Sequence, residues 1–142
     1  MISIELAEQL RDAGVVWRPC TGDQFTILQP DMTGDVFTIS DMMIEAHEFS
    51  TGTVLGFNGT TEWALDSVAQ DDALWLPRED QLREMLGGTF LSLQARSPEG
   101  FTVLIRPPGA DEAVAFGADS AVDTYALAVL ALVDLALDPT SA

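Results

Sequence analysis

Residues 121–137, Ala-Val-Asp-Thr-Tyr-Ala-Leu-Ala-Val-Leu-Ala-Leu-Val-Asp-Leu-Ala-Leu, narrow the choice of folds more than any other stretch. Ser120, followed three residues later by Asp123, resembles a capping box with aspartate in the glutamate position. The segment then reads as one long helix that is apolar nearly all round, and such a helix has to be covered on more than one side. Pro139 ends it. The longest uninterrupted apolar run, 125–133, has nine residues, whereas a spanning helix needs about 20. The expectation is a buried C-terminal helix and no membrane insertion.

The rest of the chain supplies what covers it. Ser3 is a plausible N-cap, with Glu5 in the first turn, Leu6, Ala7, Leu10 and Ala13 on one face, and Gly14 as a stop. Short strands are expected at 15–18, 25–28 and 36–39. A hairpin is expected from 43–49 to 53–57, turning at Ser50-Thr51-Gly52. Asn58-Gly59-Thr60-Thr61 then feeds a short helix over 62–68. In Leu74-Trp75-Leu76-Pro77-Arg78-Glu79-Asp80, Pro77 falls in the first turn of a short amphipathic helix. Leu82, Met85 and Leu86 form its buried stripe, and Gly87-Gly88 its exit. Residues 89–96 alternate with Leu91, Leu93 and Ala95 inward. Residues 101–106 return with Phe101, Val103 and Ile105 inward, and 113–116 add a third strand. Strands joined by short turns pair antiparallel, so the reading is a single α+β domain over 1–142, with a subdivision point near 70–72.

Charge narrows the partners. The chain has 23 Asp and Glu against 6 basic residues, all arginine, for a net charge of −17. The absence of lysine removes Schiff-base chemistry and a P-loop lysine. A charge of this size repels nucleic acid and anionic membrane and favours a basic partner. The acids are spread, with nine in 1–50, eight in 51–100 and six in 101–142, which suits a solvated surface better than one acidic tail. Lone Cys20 cannot form an internal disulfide, and it fits a reducing, cytoplasmic setting. No signal peptide is visible at the start.

Candidate chemistry is sparse. His47 is the only histidine. On a strand it shares a face with Glu45, and Asp41 could approach, so Asp41, Glu45 and His47 are the one arrangement suggesting a metal or an acid–base pair. A second histidine to complete a typical zinc site is missing. Cys20 follows Pro19 in an irregular stretch and reads as a small buried apolar residue rather than a nucleophile. Asp31-Met32-Thr33-Gly34-Asp35 lacks calcium-loop spacing. Trp17, Trp63 and Trp75 are either core anchors or contact residues.

The run Gly56-Phe57-Asn58-Gly59-Thr60-Thr61-Glu62-Trp63-Ala64-Leu65-Asp66-Ser67, followed by residues 74–84, resembles small actinobacterial proteins labelled as pilus assembly proteins. The Trp-Leu-Pro followed by Gln-Leu also resembles short phage and prophage proteins. Neither resemblance implies an activity, a cofactor or a catalytic residue. The lysine-free composition fits a GC-rich bacterium.

These readings point to a non-catalytic acidic protein without a cofactor, acting in protein–protein recognition or as a regulatory accessory. Its contact surface is expected at Asn58, Trp63, Trp75, Arg78, Glu79 and Arg83, with the tryptophans as anchors. The alternatives are a small-ligand binder or divalent-metal-dependent enzyme built on His47, and an acidic mimic of nucleic acid.

Overall fold

The computed structural model describes residues 1–28, 35–39, 44–49, 52–57, 67–69 and 72–137, with 44–49, 52–57 and 67–69 described by their backbone pairing. The elements in chain order are α1 (Ile4–Asp12), β1 (Gln24–Ile27), β2 (Phe37–Thr38), β3 (Ile44–Phe49), β4 (Gly52–Phe57), β5 (Ser67–Ala69), β6 (Ala73–Trp75), α2 (Glu79–Leu86), β7 (Phe90–Ala95), β8 (Phe101–Ile105), β9 (Val114–Ala118) and α3 (Ala121–Leu137). They form three antiparallel three-stranded sheets and three α-helices, an α+β fold. Among the described residues no helix is long and apolar enough to cross a membrane.

The chain divides into two compact units. One joins Met1–Val15 to Pro77–Ala142, and the other is Val16–Leu76. The later boundary falls between Leu76 and Pro77, past positions 70–72 where the sequence suggested it.

In the first unit α3 packs against α1, α2, β8 and β9. Val122, Tyr125, Ala126, Ala128 and Val129 are all buried, as expected of a helix apolar on most sides. This burial is confined to the first half of α3: residues 130–133 are only partly covered and 134–136 are exposed, with Leu135 at 43%. The Asp123 N–H donates to Ser120 Oγ at 3.2 Å, half of the expected capping box. The other half is diverted: the Asp123 carboxylate accepts the Ser3 N–H at 2.8 Å. Ser3 in turn caps α1 through its Oγ, which accepts the Leu6 N–H at 3.3 Å. The two helix starts are thereby tied together.

Helix α2 begins two residues later than Pro77 suggested. Arg78 is its N-cap, in extended backbone, and the Arg78 N–H donates to Gln81 Oε1 at 3.0 Å. The Gln81 side chain satisfies the first free donor, and Pro77 is left outside the helix. Leu82 and Leu86 are buried, while Met85 is 38% exposed, so the apolar stripe is narrower than expected. Gly87, at φ +55°, closes the helix, and the Thr89 hydroxyl donates to the Leu86 carbonyl at 2.7 Å.

The β7–β8–β9 sheet corrects a second expectation. Val103 and Ile105 point inward and are fully buried, but Leu91 is 46% exposed. The β7–β8 register shifts between Phe90 and Ser92. Leu91 is the extra residue at this irregularity, which interrupts the two-residue period and turns its side chain out. Ala95 is exposed as well.

The second unit holds the other two sheets, β2–β1–β6 and β3–β4–β5. The expected hairpin is present, with β3 and β4 paired from Ile44↔Phe57 to Phe49↔Gly52. The helix expected over 62–68 is not formed at its end: Ser67 and Val68 lie in β5 and pair with Gly56 and Leu55. Residues 62–66 lie outside the described residues. Residues 15–18 form no strand. Trp17 instead joins Phe25, Ile27, Ile39 and Ala73 in a core, with Phe37 and Trp75 packed against it.

Candidate functional site

The second unit is organised around its aromatic residues. Phe25 on β1 pairs with Phe37 on β2 and with Trp75 on β6. The Trp17 and Trp75 rings are stacked, with centroids 6.4 Å apart and planes within 6°. Trp17 also leans on Phe25 at 5.6 Å. Trp75 is half-buried, and its Nε1 is enclosed with no hydrogen-bond partner. Of the two roles expected for Trp75, the strand position against Trp17 is that of a core residue.

Trp17 is held by a residue whose role the sequence did not announce. Its Nε1–H donates to Asp23 Oδ2 at 3.0 Å. The same oxygen accepts the Cys20 N–H at 3.0 Å, and Asp23 is 3% exposed. A buried indole needs an acceptor and a turn aspartate supplies one, so the spacing of Trp17 and Asp23 held the clue. Cys20 is exposed rather than buried, because the turn points its backbone inward at Asp23 and its side chain out.

The first unit carries the charged candidates. Glu79, Asp80, Arg83 and Glu84 of α2, together with Tyr125 of α3, line an open hollow of about 580 Å³. The spacing of 79, 80, 83 and 84 on a helix sets them along one stripe. Arg78 Nε reaches Asp80 Oδ1 at 3.1 Å, and this hydrogen bond holds the Asp80 carboxyl below its usual value. Arg83 is turned away from its helix, its guanidinium lying 4.5 Å over the Phe90 ring. Phe90 in turn meets Tyr125, with ring centroids 5.8 Å apart. Burial pushes the Tyr125 phenol up, opposed by Arg83 and reinforced by Glu79.

Of the residues expected at a contact surface, Glu79 and Arg83 are brought together at this hollow, with Arg78 beside it through Asp80. Trp75 belongs to the other unit. Asn58 and Trp63 lie outside the described residues. So does Asp41, while Glu45 and His47 occupy β3 in register with Gly56 and Val54. Among the described residues no group of three or more histidine, cysteine or acidic side chains is placed to hold a metal ion. Tyr125 was not singled out by sequence, because in an all-apolar run it reads as one more core residue.

No protein-family profile, curated protein or solved structure matches the chain.

Proposed function

We propose that this protein works by recognising another protein, as an acidic binding or regulatory accessory without catalysis, and that the surface it recognises is basic. The observation that carries the reading is the α2 stripe. It sets Glu79, Asp80 and Glu84 around an arginine already held on the Phe90 ring. Arg83 and Asp80 are held by Phe90 and Arg78, so these two charges lose little freedom on binding, while the carboxylates of Glu79 and Glu84 stay available to a basic partner. The net charge of −17 draws a basic surface toward it over a longer range.

Arg78, Glu79 and Arg83 orient the partner in this reading, Trp63 and Trp75 are its apolar anchors, and Asn58 is a polar contact. The test is affinity purification from the source cells with the wild-type chain, Trp75→Phe and the pair Glu79→Gln/Glu84→Gln. Each captured protein is then purified and its affinity remeasured. The expected result is one basic partner whose binding falls in both variants, with circular dichroism unchanged. A partner bound equally by all three chains, or none from any, refutes the reading.

A further inference from the structure

The hollow between α2 and α3 contains three polar groups left without partners. Asp80 is taken by Arg78, and Arg83 has its face on Phe90. Among the described residues Glu79 and Glu84 form no ion pair, and the Tyr125 hydroxyl forms no hydrogen bond. Tyr125 is nevertheless only 3% exposed, and what it lines is this hollow. What is enclosed is the Tyr125 ring; its hydroxyl oxygen is not among the enclosed, unpartnered atoms and opens into the hollow, where it is available to whatever enters.

We propose that the hollow is a binding site for an alkylammonium group, with the Glu79 and Glu84 carboxylates and the Tyr125 hydroxyl oxygen accepting its N–H donors. This rests on the recognition reading above and names what the surface reads: a lysine side chain of the partner, with a free polyamine as the other source of the same chemistry. An ammonium presents three donors on a compact cation, matching three acceptors. A carboxylate or phosphate ligand is disfavoured, because among the described residues the hollow's one cation faces three carboxylates. Its volume falls in the range of small-molecule sites, about 300–1,000 Å³, so it has room for the stem of the amine as well as its head. The raised phenol keeps the Tyr125 oxygen uncharged at neutral pH, able to accept from the ammonium while donating to a carboxylate.

The test is calorimetric titration of the full chain with a short acetylated lysine peptide, with spermidine, and with tetramethylammonium, which carries charge but no N–H. Tyr125→Phe keeps the ring and removes the hydroxyl. Glu84→Gln removes a carboxylate charge, and Glu99→Gln does the same on a distant exposed turn. The expected result is that Tyr125→Phe and Glu84→Gln each weaken binding of an N–H-bearing probe about tenfold. Glu99→Gln is expected to leave it unchanged, and tetramethylammonium to bind weakly. Equal losses from Glu84→Gln and Glu99→Gln would mean diffuse charge attraction and overturn the site, as would full affinity in Tyr125→Phe. Preference for the lysine peptide supports both the site and the recognition reading. Binding of spermidine alone keeps the ammonium site and counts against a protein partner. If neither amine binds, the site is wrong, while the recognition reading still stands or falls on its own capture experiment.

Discussion

Trp17 and Asp23 are locked to each other inside the second unit, the indole Nε1–H donating to Asp23 Oδ2 at 3.0 Å, with Trp17 8% and Asp23 3% exposed. That oxygen also takes the Cys20 N–H, and the Asp23 backbone is pinned on both sides. The Asp23 N–H donates to the Cys20 carbonyl at 3.0 Å and the Ile39 N–H to the Asp23 carbonyl at 2.9 Å. The aspartate therefore sets the turn, the edge of the β1–β2 pair and the ring that stacks on Trp75. Asp23→Ala leaves two donors unmet and is expected to cost about 3 kcal/mol. Asp23→Asn keeps an oxygen in place and is expected to cost about 1 kcal/mol. Urea unfolding followed by tryptophan fluorescence checks both, and equal costs would show that the accepting oxygen is not what matters.

Tyr125 is the only tyrosine, so the phenolate absorbance of the folded protein reports this residue alone. Its pKa is raised above the model-compound value of 10.0, chiefly by burial. A raised value means that the folded state holds the proton more tightly than the unfolded chain. The associated stability is complete below pH 10.0 and is lost as pH climbs through the folded-state pKa. The absorbance transition is therefore expected above that of a free tyrosine. The fall in unfolding midpoint on the alkaline side should be shallower in Tyr125→Phe. An absorbance transition at the free-tyrosine position would contradict the burial.

Two glycines near Arg96 are expected to respond differently to the same substitution. At Gly100, φ is +98°, and an added Cβ would sit 2.5 Å from Arg96 Nη2 and 2.9 Å from the Ala118 carbonyl oxygen. Backbone conformation and a backbone atom both oppose it, so Gly100→Ala is expected to cost about 1–3 kcal/mol, with or without Arg96. At Gly117 the close atom is Arg96 Nη1 at 2.9 Å, and the next backbone atom lies at an ordinary 3.5 Å. The guanidinium can swing away, giving up its 3.3 Å bond to the Ala118 carbonyl. A cycle of Gly117→Ala with Arg96→Ala should then show a coupling of about 0.5 kcal/mol or more. The matching cycle at Gly100 should couple as well, since Arg96 Nη2 is its nearest clash. Most of the Gly100→Ala cost should nevertheless survive in the Arg96→Ala background, because the positive φ and the Ala118 carbonyl remain, and thermal unfolding of the two sets decides it.

Much of the architecture was legible because it depends on short-range pattern. The Ser3 cap, the α2 exit at Gly87, the β3–β4 hairpin and the demand of residues 121–137 for cover on several sides follow from propensity and periodicity within one or two turns of chain. The misreadings arose where a single residue broke the local rule. The shift at Leu91 interrupts alternation in β7, and Gln81 moves the start of α2 past Pro77. Residues 67–69 pair as a strand because β4 lies alongside them.

The candidate site was legible only in part. The sequence by itself established the acidic excess, the absence of lysine and the helical stripe of Glu79, Asp80, Arg83 and Glu84, since these depend on composition and a period of 3.6. Tertiary structure alone decided that Tyr125, 41 residues beyond Glu84, faces that stripe, that Phe90 takes the Arg83 guanidinium, and that Asp23 is buried as the partner of Trp17. The reason is physical. A side chain's rotamer and helical face are local properties, but its desolvation and its hydrogen-bond partner are set by whichever distant segment packs against it.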